Sequence, residues 1–152
     1  MTSNDNAMGA HIDNLNGLLA DSYALFLKTK NFHWHVSGEN FRDLHLLFDE
    51  QAQQIMATTD LIAERARKQG GNTLTSIGAV AAKTQIKDQD KAGIGAMDMV
   101  RELRDDNRTL IARLRETKSS AEQVGDNATD GLVDDWTDEA EERVWFLSSI
   151  VA

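Results

Sequence analysis

Five side chains could together hold a metal ion: His33, His45, Asp49, Asp60 and Glu64. Imidazole and carboxylate suit iron, manganese or zinc, and with no cysteine in the 152 residues a thiolate site is excluded. In a helix turning about 100° per residue, with His45 as zero, Asp49 lies near 40°, Asp60 near 60° and Glu64 near 100°. All four therefore share one face. A rise of about 1.5 Å per residue nevertheless puts Asp60 roughly 22 Å from His45, beyond the span of one metal centre. A two-fold axis perpendicular to the helix resolves this, because an antiparallel copy brings Asp60 and Glu64 opposite His45 and Asp49 of its partner. His33, just before the break at Ser37-Gly38, can fold back beside His45, whereas His35 points to the opposite face. The competing reading is structural. A lone helical histidine is more often a hydrogen-bonded or surface residue than a ligand, and this reading is retained for His11 and His35. Asp60 and Glu64 equally fit a solvated face balanced by neighbouring Arg and Lys.

The elements that must carry these residues are helical. There is no proline, and apolar residues recur at three-and-four spacing. The pattern predicts one helix from Ile12 to about Val36 and a second from Phe41 to Ala66, closed by Gly70-Gly71 as its C-cap. A third runs from Ile94 to about Ser119 and a fourth from Leu132 to Val151. Phe41 and Leu44 are assigned to the core. Residues 72–93 read as a long crossover bearing one short helix around Leu74–Ala82. The fold class is all-α: a ferritin-like four-helix bundle with a short helix in its long middle crossover. It forms a single domain over 1–152, with residues 1–10 a short flexible tail. Bundles of this kind usually hold metal within one subunit through Glu-x-x-His pairs. Here no Glu-x-x-His occurs and the second half has no histidine.

The run KTKNFHWHVSGENFRDLHLLFDE, followed by DLIAERARKQGG, resembles the signature of the Dps family, the twelve-subunit mini-ferritins. The matching residues are Lys30, His33, Trp34, Gly38, Phe41, Leu44, His45, Asp49, Asp60, Glu64 and Arg65. The resemblance implies ferroxidase centres between two-fold-related subunits, with His33, His45 and Asp49 from one chain and Asp60 and Glu64 from the other. It implies oxidation of ferrous iron, preferably by hydrogen peroxide rather than oxygen, storage of ferric mineral in a hollow dodecameric shell, and protection from oxidative damage. Trp34 is then a candidate radical trap, against the plainer reading of a packing indole. Zinc is the expected competitor for the iron site. His35 stands where the family most often has asparagine, so an extra imidazole lies near the site.

The formal charge is −9, and nine carboxylates between Ser119 and Glu142 face no Lys or Arg in that segment. Most read as solvated surface. The resemblance makes Asp126, Asp130 and Asp134 candidates for an iron-entry pore, where converging carboxylates would attract cations. Nucleic acid repels such a surface. Neither end of the sequence has a lysine-rich tail, so DNA binding is not expected. No apolar run reaches membrane-spanning length, and a cytoplasmic location is the simplest expectation. Two alternative readings stand beside the oxidase: a nucleoid-compacting DNA-binding protein, and a zinc-holding structural dimer without turnover.

Overall fold

A computed structural model describes residues 2–152, which form five α-helices: α1 (Ser3–His35), α2 (Phe41–Lys68), α3 (Ile77–Lys83), α4 (Ala96–Val124) and α5 (Asn127–Ile150). The four long helices and the short crossover helix are those the periodicity predicts. Of the tail expected at residues 1–10, Met1 lies outside the described residues, and from Ser3 onward the chain is already in α1. Thr2 accepts from the Asp5 N–H and Asp5 returns a bond to the Thr2 N–H, a reciprocal capping box that supplies two otherwise unpaired donors.

The turns follow from backbone chemistry. Gly70 takes φ 89° as α2 ends, and the Gly71 N–H reaches back to Ala66 O, the wide bond of a Schellman closure. Gly125, at φ 72°, ends α4 in the same way, with the Asp126 N–H on Ala121 O. Asp126 then opens α5 by accepting from the Thr129 N–H.

α1 packs on both α2 and α4, α4 packs on α5, and Leu15, Leu18, Phe32, Phe48, Ile55, Leu103 and Leu147 lie in the shared core. Buried and half-buried polar residues of α1 fix the crossover. Asn16 bonds Asn72 O and Thr73, Asp21 accepts from Thr84 and the Gln85 N–H, Lys28 bonds Lys87 O, and Asn31 bonds Gln89 O. The crossover thus runs along α1 towards its C-terminal end. α2 and α4 consequently start at the same end of the bundle, the direction a hairpin could not give. Asp21 also receives Arg113 of α4 at 2.9 Å. Gly17 leaves room for that arginine, since a Cβ there would stand 2.6 Å from its Cζ.

Candidate metal centre

His33 sits in the last turn of α1 and His45 in the second turn of α2, joined by the tight connection at Gly38, φ 101°. Their rings stack at 3.9 Å with 16° between planes. The bonding is reciprocal: His33 Nδ1–H donates to His45 O at 2.6 Å, and His45 Nδ1–H donates to His33 O at 2.7 Å. A carbonyl can only accept, so each Nδ1 carries a proton, which frees each Nε2 lone pair to bind a metal. The backbone that joins the two helices thereby fixes both the tautomer and the aim of the two imidazoles.

Asp49, one turn beyond His45, places Oδ1 4.0 Å from His33 Nε2. The same oxygen accepts from Lys30 Nζ at 2.8 Å, and Gln53 donates to Oδ2 at 2.9 Å. The hydrogen bond from the Lys30 ammonium is the chief reason that the Asp49 carboxyl lies below the usual carboxylate range. Lys30 also lies 5.8 Å over the ring of Trp34, which is 57% exposed. Leu44 is core, as expected, but Phe41 is not: it is 44% exposed and stacks on His45 at 5.1 Å, because the first turn of α2 has no third layer above it.

Asp60 and Glu64 lie on the exposed face of the same unbroken α2, and among the described residues neither forms a side-chain hydrogen bond or ion pair. No three His, Asp or Glu side chains among the described residues converge as a metal-binding group. His33, His45 and Asp49 are brought together, whereas Asp60 and Glu64 stand apart from them along α2. Nor does the bundle interior offer the ordinary intrachain centre. Its midsection holds Arg143, 3% exposed and bonded through Nε to Asn107 Oδ1 at 2.7 Å. Burial pushes its guanidinium down to about 10, against the pull of Glu139 and Glu142, and a buried cation there opposes metal.

Beside the α2 stripe is an apolar hollow of about 860 Å³ in which Tyr23, Leu27, Met56, Ile77 and Val80 line α1, α2 and α3. Leu27 is 60% and Ile77 89% exposed, as is uncommon for such residues on an isolated chain. The sequence reading missed this face, although the apolar positions 23 and 27 were its only signal.

The α4–α5 corner corrects one pore candidate. Asp126 is 4% exposed and holds Arg65, His11 and Thr129, so it is not presented to a channel. Asp130 and Asp134 are at the surface but share Lys118, whose ammonium they hold above its ordinary range. His11 is buried between Ser120 at 2.7 Å and Asp126 at 2.9 Å, the structural role assigned to it. His35 is exposed and bonds Asn31 of its own helix.

A four-helix bundle with a long crossover and a half-buried cluster of two imidazoles and a carboxylate fits a ferritin-type protein. A ferritin-like domain model matches residues 12–152. An uncharacterized low temperature-induced protein of Nostoc is 36% identical over 141 residues, 92% of this chain and 79% of its own. The DNA protection during starvation protein of Brevibacillus brevis is 31% identical over 137 residues, 90% of this chain and 91% of its own. The Dps protein from Vibrio cholerae, described as a member of a broad superfamily of ferritin-like diiron-carboxylate proteins, superposes with TM-score 0.90 at 26% identity over 97% of this chain and 92% of its own. The chain belongs to the ferritin-like family and, within it, to the Dps family. Among the described residues no helix is long and apolar enough to cross a membrane.

Proposed function

We propose that this protein oxidises ferrous iron and stores the ferric product, at centres completed by a second copy of the chain. The observation that carries the reading is the α2 stripe. Positions 45, 49, 53, 56, 60 and 64 are spaced four, four, three, four and four, the same in either direction. An antiparallel copy centred between 54 and 55 therefore sets His45 opposite Glu64 of the partner subunit, Asp49 opposite Asp60 and Gln53 opposite Met56. The apolar hollow beside the stripe supplies surface for that contact. Each dimer then has two centres, and six dimers would make the dodecameric shell typical of the family.

Iron is substrate and cargo. His33 and His45 offer neutral Nε2 donors that suit the ferrous ion, while Asp49, Asp60 and Glu64 are hard anionic donors that increasingly favour the ferric product. With hydrogen peroxide as the preferred oxidant, two ferrous ions give one electron each. The O–O bond breaks, and water supplies the remaining oxygen of two ferric oxyhydroxide units as four protons leave. Removing iron and peroxide together limits hydroxyl-radical formation, which is the protective role. Trp34, beside His33 and under the Lys30 ammonium, is placed to give up an electron should a radical escape. Zinc fits the same donors and would compete. Asp130 and Asp134 remain the candidates for an iron route, and a cytoplasmic location fits this chemistry. DNA compaction is disfavoured by the charge of −9.

Stopped-flow oxidation of anaerobically loaded ferrous iron tests the reading, with peroxide or oxygen as the second reactant. Rapid, protein-dependent ferric formation, faster with peroxide, is expected. His45→Ala and Asp60→Ala should each abolish it, while co-assembled mixtures of the two recover part of the rate, because a mixed dimer keeps one intact ligand set. Normal rates in either single variant would sink the site. No acceleration by the wild type would leave the zinc-holding dimer.

A further inference from the structure

The buried cluster at the α4–α5 corner lies directly behind the α2 turn that bears Glu64. Arg65, the next residue, turns inward, donating from Nε to Thr129 Oγ1 at 2.9 Å and from Nη2 to Asp126 Oδ1. Asp126 is itself fully engaged. It accepts from the Thr129 N–H at 3.1 Å and the Thr129 hydroxyl at 2.5 Å, and from His11 Nε2 at 2.9 Å. His11 is 0% exposed, and its Nδ1 meets Ser120 Oγ at 2.7 Å. Asp126 thus ties together the N-terminal part of α1, the end of α4, the start of α5 and the last turn of α2.

Those ties matter because Glu64 has none of its own. Asp60 and Glu64 face solvent four to eight residues before α2 ends at Lys68, where a helix frays most readily. The side chain that fixes the rotation and height of that turn against α5 is Arg65. We propose that Asp126 and His11 are positioning residues for the metal centre, acting through Arg65 to hold the Glu64 turn of α2 in register with the partner's histidines. This inference rests on the assignment of Glu64 as a ligand. It gives Asp126 a task inside the fold in place of one in a pore, and it explains why an arginine follows the ligand glutamate directly.

Anaerobic titration of the assembled, metal-free protein with Co²⁺, followed through its d–d absorption, tests the proposal, with Fe²⁺ stopped-flow separating KM from kcat. Residues that orient a metal's ligands typically change affinity 10–100-fold when altered. Asp126→Asn should therefore weaken Co²⁺ binding about tenfold or more, shift the absorption envelope and raise KM for iron more than it lowers kcat. His11→Gln, one bond further away, should act in the same direction and less. Leu110→Ala, a core truncation roughly 15 Å along α4 from Ser120 and away from both halves of the centre, of comparable cost in Tm, should leave affinity and spectrum unchanged. Glu64→Ala separates the two claims. If it binds Co²⁺ as the wild type does, Glu64 is not a ligand and the relay falls with it. If Glu64→Ala loses binding while Asp126→Asn and His11→Gln stay within twofold of wild type, or lose no more than Leu110→Ala, the relay alone is overturned.

Discussion

Carboxylates gather in two places in this molecule, and the two are used in opposite ways. On α2, Asp60 and Glu64 face outward without any internal counter-charge among the described residues. At the α4–α5 corner the three aspartates singled out in the sequence each have a cation: Asp126 holds Arg65, and Asp130 and Asp134 share Lys118. Asp49 stands between the extremes, at the proposed metal centre yet bonded to Lys30. Spacing along a helix shows which acids share a face. Whether an acid is free to take a metal depends on what folds in behind it.

The sharpest break between the two regions should appear in stability. Asp126→Ala removes a buried acceptor and strands the charge of Arg65. Breaking a buried pair in this way typically costs about 3–5 kcal/mol. Asp60→Ala removes a solvated group, and its cost should lie within about 0.5 kcal/mol. Chemical denaturation of the two variants, under conditions where the assembly is fully dissociated, measures the contrast. Equal losses would mean that the Asp126 network is not the buried tie its geometry describes.

Acid should sharpen the same contrast. Burial pushes the Asp126 carboxyl up, but bonds from Thr129, His11 and Arg65 outweigh it and hold the group below its ordinary range. A depressed folded-state value contributes stability above the unfolded carboxylate range, near pH 4, and loses it as the pH falls through the folded value. The Tm gap between wild type and Asp126→Asn should therefore be full at pH 6 and narrow progressively below about pH 4. A gap independent of pH would show that Asp126 carries no ionisation linked to folding.

The same contrast explains how much could be read from the sequence. His33, His45 and Asp49 are close in the chain, so helical periodicity and one glycine break were enough to place them together, and the distance along α2 demanded a second copy. The reciprocal carbonyl bonds that set both histidine tautomers depend on how α1 and α2 dock, which no spacing encodes. His11 and Asp126 are 115 positions apart, so their contact has no local signal. The start of α1 was legible, since Thr2 and Asp5 have capping-box spacing, but it was outweighed by the polar composition around them. Phe41 reads as core from its periodicity, yet it lies in a first turn that nothing in the chain covers. The crossover, read as a loop with one short helix, owes its path to Asn16, Asp21, Lys28 and Asn31. These are polar residues in an otherwise apolar pattern, and their crossover partners lie 56 to 64 positions away, so no local spacing marks them.

The smallest expected effect concerns Lys118. Exposed pairs contribute little, because solvent screens the charges and two flexible side chains must be held in one geometry. Lys118→Gln should therefore shift Tm by no more than about 2 °C, even though Lys118 touches both Asp130 and Asp134. Its effect on cations should be larger than its effect on the fold. Removing the ammonium leaves two carboxylates without their internal partner and adds one negative charge per chain at the corner. If Asp130 and Asp134 line a route for iron, the initial rate of ferrous uptake at low ionic strength should rise, and the gain should fade in 0.5 M salt, where the screening length is only a few ångströms. Uptake unchanged by the substitution at low salt would place iron entry elsewhere and leave these two carboxylates as paired surface, like Asp126 in that their charge is already spoken for within the chain.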